Sequence, residues 1–235
     1  MKALLVRVGI DSTYGKWNAP VNPNTWEFAY VPIPEEHPHK AVRPGYERSY
    51  KEFKTACESL GSKLPERLLN KFAHVDPDFE YLTYGDENRK GEQIRKLVEG
   101  DILAFYAGLR LPDSHSGKLL YAFIGFYVVD RVVAASDVPE EDWHKNAHTR
   151  RLFDRTDWIV LGKPGISGRL ERCIPIGEWR DRAYRVSRDL LDIWSDLSAR
   201  NGYIQRSAIL PQVGDLTKFY EWFKRQNVSL RVRNN

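Results

Sequence analysis

The stretch that most constrains the fold is GDILAFYAGLR at 100–110, followed after a polar turn by GKLLYAFIGFYVVDRVV. Two apolar runs of this length read as strands. The turn PDSHSG between them is far too short for the crossover that a parallel pair requires, so an antiparallel pair is predicted. Side chains alternate along a strand, which puts Phe105 and Tyr106 on opposite sides of the sheet. Only one of the two rings can line a pocket.

The rest of the chain arranges itself around this pair. Residues 2–10 predict a buried strand with Arg7 embedded in it, and TWEFAYVPIP predicts a second strand in which Trp26, Phe28 and Tyr30 alternate. Helices are predicted over 49–60, with Ser49 as N-cap and Gly61 past the end, and over 65–72. GDENRKGEQIRKLVEG predicts an amphipathic helix with Ile94, Leu97 and Val98 on one face. TDWIVLG reads as a further strand. Towards the end a helix capped by Ser187 carries Leu190, Leu191, Trp194 and Leu197, a second carries Leu216, Phe219, Tyr220 and Phe223, and VSLRVR predicts a closing strand. The expectation is an α+β chain with one domain over 1–180 and a helical appendage over 181–235 packed on it.

Length and composition narrow the class. A chain of 235 residues buries a sizeable core without staples. The two cysteines, Cys57 and Cys173, have no metal-ligand spacing and are expected reduced. The apolar start MKALLVRVGID is too short for a secretory signal, and no later run is long enough to span a membrane, so a cytoplasmic, membrane-free protein is expected. Net charge is +4, but 143–188 holds eleven basic residues against five acidic ones, a surplus of +6 made mostly of Arg. Planar guanidinium groups pair with phosphates, so this segment suits a nucleic-acid-facing surface, with an ordinary solvated charged face as the equal alternative.

Several familiar chemistries lack their signatures: GxGxxG, GxxxxGK[ST] and GxSxG are all missing. His144 and His148 share helical spacing, yet Lys145 stands where a zinc protease needs its glutamate. Glu36, His37 and His39 read as loop residues. VDPDFEYLTYGDENRK, with Glu87 and Lys90, is a faint echo of metal-dependent nucleases. From these patterns neither a metal site nor a cofactor is expected.

What remains is a set of polar and aromatic residues at strand ends. Arg7, Asp11, Tyr14, Trp17 and Asn18 lie on or beyond the first strand, Tyr84, Asp86 and Arg89 precede the short helix, and Tyr106 and Arg110 lie on the central strand. Rings beside amides and guanidinium groups are what a pocket needs to stack a nucleobase and bond its edges; the alternative is an ordinary half-buried aromatic sheet, since Tyr and Trp are favoured in strands anyway.

Taken in order, MKALLVRVGIDSTYGKWNAPV, FAYVPIPE, TYGDENRKGEQIRKLVEGDILAFYAGL, YAFIGFYVVDRV, NAHTRR and IVLGKPGISGRLERCIPIG resemble the third of the nucleotide-modification-associated domain families, over residues 1–180. The resemblance implies participation in DNA base modification. The run of helix, GDILAFY, turn and LYAFIGFYVVDRV is also similar to PUA-like domains, small barrels that include readers of modified bases. That likeness implies an α+β fold with a PUA-like mixed β-barrel core and peripheral and C-terminal helices. In it Gly100 and Asp101 turn the chain into a central strand, Tyr106 faces the barrel mouth and Gly108 lets a ligand approach the backbone.

Three functions follow as expectations, the third and plainest being a scaffold subunit whose basic face meets a protein partner. In the first, the protein binds DNA or RNA and recognises a modified or flipped nucleobase through Tyr14, Trp17, Asn18, Tyr84 and Tyr106, while Arg110, His148, Arg150, Arg151, Arg169 and Arg172 contact the backbone. In the second it is an enzyme acting on a modified base or nucleotide, with Asp11 or Asp86 as acid or base and Arg7 or Arg89 steadying negative charge.

Overall fold

The computed structural model describes residues 1–37, 39–112, 118–205 and 207–235. Along the chain come β1 (Ala3–Arg7), β2 (Ile33–Pro34), α1 (Lys54–Ser59), α2 (Glu66–Leu69), β3 (Ala73–His74), β4 (Thr83–Asp86), α3 (Asn88–Ile94), β5 (Ile102–Arg110) and β6 (Leu119–Ala134). They are followed by α4 (Ala147–Arg150), β7 (Trp158–Gly162), β8 (Gly168–Pro175), β9 (Gly177–Arg180), β10 (Ala183–Val186), α5 (Arg188–Ile193), α6 (Leu216–Arg225) and β11 (Leu230–Arg231). No helix among the described residues is long and apolar enough to cross a membrane.

β5 and β6 pair antiparallel, and β1 joins the other edge of β5 in parallel. The sheet runs β1-β5-β6-β7-β4, with β8 branching from β6 and β11 from β8. β6 makes the branch possible because it is sixteen residues long: its first half lies between β5 and β8, and its second half pairs with β7. Opposite the Phe105/Tyr106 step, Ile124 has no cross-strand partner on β5, a bulge that bends the strand between its two sets of neighbours. A Cβ at Gly125 would lie 2.5 Å from the Phe79 ring and 2.7 Å from the Gly168 carbonyl, so only glycine fits at this crossing. The turn predicted at 112–117 lies, from 113 on, outside the described residues.

The α+β class agrees with expectation, but no closed barrel forms among the described residues. The reason is that β5 is covered on both faces instead of curling around a lumen. Leu103, Phe105, Ala107 and Leu109 enter one core with Phe28, Tyr30, Phe53 and Phe79. Ile102, Ala104 and Tyr106 enter a second with Trp194, Phe219 and Trp222 from the C-terminal segment. Phe105 and Tyr106 therefore do face opposite sides, and both are buried.

Local expectations were met unevenly. Ser49 does cap, its hydroxyl accepting from the Lys51 amide while Glu52 accepts from the Ser49 amide. TWEFAYVPIP is not a strand. Trp26 takes a left-handed conformation at φ 60°, which breaks an extended run; Phe28 makes a single antiparallel bridge to Val21, and only Ile33–Pro34 forms a strand. Phe28 and Tyr30 are nevertheless core residues. Val98, placed on the buried face of the third helix, is 60% exposed because α3 ends at Ile94.

Trp194 is fully buried against Phe123, Phe219 and Trp222. Trp194→Ala should cost about 3–5 kcal/mol in urea unfolding, whereas Tyr220→Ala on the exposed side of α6 should change it by less than about 0.5 kcal/mol. Burial pushes both the Cys57 and Cys173 thiols up to about 12. Ellman's reagent should accordingly find no reactive thiol in the native protein and both in concentrated guanidinium.

Candidate functional site

A cleft of about 480 Å³ opens where β1 ends, between residues 33–37, the β3–β4 segment, Gln205 and residues 207–211. Its lining includes Arg7, Asp11, Tyr14, Tyr84, Asp86, Tyr106, His148 and Arg151, eight of the residues singled out from sequence. Strand exits gather them: β1 delivers Arg7, and β4 delivers Tyr84 and Asp86.

Their environments differ. Asp11 pairs with Arg7 at 3.1 Å and accepts the backbone amides of Thr13 at 2.7 Å and Tyr14 at 2.8 Å, so it orders the turn after β1. Asp86 accepts the Tyr84 hydroxyl at 2.5 Å and the Glu87 amide at 2.9 Å, with the Lys90 ammonium at 4.0 Å. Tyr14 is 51% exposed and stands at the lip. Tyr106 does not face an open mouth as expected. It is 2% exposed, and its hydroxyl donates to the Ile204 carbonyl at 2.7 Å, because Tyr184, Trp194, Ile204, Phe219 and Trp222 cover that face of the sheet. Burial holds the Tyr84 and Tyr106 phenols well above their ordinary value.

Other expected members lie elsewhere. Asn18 donates to the Gly108 carbonyl at 2.8 Å, and Arg110 lies 5.8 Å over the Trp17 ring while donating to Ser62. Arg89 on α3 and Arg172 on β8 are exposed and do not line the cleft. The predicted electropositive shelf needs correction, since Arg150, Arg151, Arg169 and His148 are buried. Arg150 pairs with Asp78 at 2.6 Å, Arg151 bridges Glu35 at 3.3 Å and Glu87 at 3.2 Å, and Arg169 lies 4.8 Å over the Phe28 ring. A guanidinium is buried at tolerable cost when carboxylates or rings answer it, and here the acidic residues of 35–87 do so for Arg150 and Arg151.

The floor of the cleft was not legible. β3 carries His74, the segment after it Asp76, and the Asn146 side chain caps α4 by accepting the His148 amide at 2.8 Å, which sets His148 opposite them. Both imidazoles are held at Nδ1: His74 by Glu35 at 2.5 Å and His148 by Asp157 at 2.6 Å. Burial alone would raise the Glu35 carboxyl, but His74 and Arg151 bring it down to about 2. Asp157 is likewise held well below the usual carboxylate range against its burial, by His148, the Asp154 amide and Lys40. Burial keeps His148 below the ordinary imidazole value, Asp157 opposing it.

Asp76 behaves differently. Burial raises its carboxyl well above the ordinary value, despite hydrogen bonds from the Gly85 amide at 2.9 and 3.1 Å and from Asn146 at 3.3 Å. The His148 Nε2 lies 3.7 Å from its Oδ2. Gly85 makes this approach possible, since a Cβ there would fall 2.4 Å from the His148 ring and 2.9 Å from the Asn146 amide oxygen. Two groups, His74/Asp76/His148 and Glu87/His148/Asp157, each place one potential ligand atom per residue within 4.8 Å of the others. His74 and Asp76 are two apart and so share a side of an extended chain, which is the one local signal; nothing in sequence ties them to His148.

Searches of curated proteins and of solved structures find no match. A family model does match, described as nucleotide modification associated domain 3, over residues 2–192 of the 235. That span takes in every residue of the cleft up to His148 and Arg151. The chain belongs to the nucleotide modification associated domain 3 family.

Proposed function

We propose that the cleft receives one nucleotide, or one base extruded from DNA, and that the protein acts on it chemically. The observation that carries this reading is the convergence of His74, Asp76 and His148 at a buried floor beneath a polar, aromatic-edged opening. A volume near 480 Å³ is in the range of small-molecule sites. Tyr14 at the lip supplies a ring for stacking, and Arg7 supplies a guanidinium for a phosphate or a developing anion. Exposed Arg89, Arg110 and Arg172 serve the flanking backbone. Asp11 and Asp86 act as organisers of their loops, because their oxygens already accept several hydrogen bonds. The β5–β6 pair takes the place of the central strands of a PUA-like barrel left open. Family membership supports nucleotide modification as the setting.

Recognition without turnover is the second reading, supported by the tyrosines that line the same cleft.

The test is mass spectrometry of nucleosides and strands after incubation with DNA carrying a panel of modified and unmodified bases. A mass change or new strand end is expected, and Asp76→Asn should slow it by about 10²-fold or more while leaving the unfolding transition in place. Unchanged masses across the panel overturn the enzymatic reading, and binding that then weakens steeply with salt selects the second. Gly85→Ala should push the His148 ring from the floor. About 1–3 kcal/mol of stability in urea and a changed set of imidazole NMR shifts are expected, and an unaltered spectrum would contradict the role given to Gly85.

A further inference from the structure

Within the cleft floor the carboxylates fall into two kinds. Glu35, Glu87 and Asp157 each have a cationic side chain in reach: Arg151 for all three, and Lys40 for Glu87 at 2.6 Å and Asp157 at 2.5 Å. The Glu87/His148/Asp157 group therefore already holds its positive charge in Lys40 and Arg151. The Asp76 side chain is 5% exposed, but among the described residues it forms no ion pair with a Lys or Arg; its one ion-pair contact is His148, at 3.7 Å. A buried carboxylate without a cation is costly, and the groups around it are arranged as metal ligands are.

The arrangement is specific. Glu35 engages Nδ1 of His74, and Asp157 engages Nδ1 of His148. Arg151 also reaches His148 Nδ1, at 3.2 Å, but the 2.6 Å carboxylate contact is the shorter and fixes the proton on that nitrogen. Each ring then presents an Nε2 lone pair, the tautomer in which histidine ligates a metal with a carboxylate behind it. The 3.7 Å between His148 Nε2 and the Asp76 oxygen is close to the span of two ligands each about 2.1 Å from one ion. The rings stand edge to face at 5.1 Å, and one ring nitrogen of each lies within 4.8 Å of the other and of an Asp76 oxygen.

We propose that His74, Asp76 and His148 bind one divalent first-row transition-metal ion through the two Nε2 atoms and the Asp76 carboxylate, with Glu35 and Asp157 as outer-shell partners. Two nitrogens and one oxygen suit Zn²⁺, Fe²⁺, Co²⁺ or Ni²⁺ better than Mg²⁺ or Ca²⁺. Three protein ligands leave positions open to the cleft, as a site that meets a substrate requires. The proposal concerns the floor assigned above to an activity, yet it stands whether or not a nucleotide is turned over, since the metal is read without substrate.

The test uses the full chain stripped with a chelator and dialysed. Co²⁺ titration should give visible d–d bands that saturate at one ion per chain, and Zn²⁺ should displace it in calorimetry. His74→Gln and Asp76→Asn should each weaken Co²⁺ binding at least 100-fold, Glu35→Gln should weaken it 10- to 100-fold, and His39→Gln should leave it unchanged. Far-UV circular dichroism reports folding of each variant; if His74→Gln unfolds, the near-isosteric Asp76→Asn and the paramagnetic shifts of two imidazoles in the wild type carry the test. A wild type that binds neither ion, or variants that bind as tightly as it does, would overturn the proposal. So would loss of the ion in Glu87→Gln but not in His74→Gln, which would move it to the other group.

Discussion

β5 exposes no side chain until its last residue, and a strand of that kind must be covered on both faces. Everything else in the molecule is placed by that requirement. One cover is an aromatic cluster in which Phe79, Phe105 and Tyr127 meet edge to face at 4.7–5.8 Å, and the other is the C-terminal group of Trp194, Phe219 and Trp222. With both faces closed, the open ground is at strand ends. β1, held parallel beside β5, ends at Arg7, and β4, held through β7, ends at Asp86; the cleft lies where these exits meet Gln205 and residues 207–211.

Charge follows packing. The basic surplus of 143–188 looks like a surface when read as a list, but the fold brings the acidic residues at 35, 76, 78 and 87 against Arg150, Arg151 and His148. Lys40 joins them between Glu87, Asp154 and Asp157. Ions this deep cost several kcal/mol each unless paired, so the network is as much a condition of the fold as the aromatic core. Within it Asp76 is the one carboxylate that, among the described residues, forms no ion pair with a lysine or arginine, and the proposed metal site rests on that asymmetry.

Legibility tracked how local the signal was. β1, the β5–β6 pair, β7, the Ser49 cap and α6 could all be read, because periodicity and capping are written in consecutive residues. TWEFAYVPIP misled because alternation does not reveal a left-handed residue at Trp26. The strands of 168–186 were missed for the opposite reason: Arg and Glu interrupt their apolar residues, since β8 sits on a bent branch of β6 and β9 with β10 form a small separate ribbon. Arg7, Asp11, Tyr84 and Asp86 were foreseen in the cleft as polar groups at strand exits. The roles of Trp17 and Asn18 were not, because a loop residue can turn either way.

Sequence by itself determined the α+β class, the antiparallel centre, the opposite facing of Phe105 and Tyr106 and the family, since each depends on neighbours along the chain or on ordered blocks of residues. Tertiary structure alone decided that the sheet stays open, that three arginines and a histidine of the basic segment lie inside, and that His148 meets His74 and Asp76. Those outcomes turn on which surfaces bury one another and which charges must then be paired, and residues seventy apart carry no local mark of either.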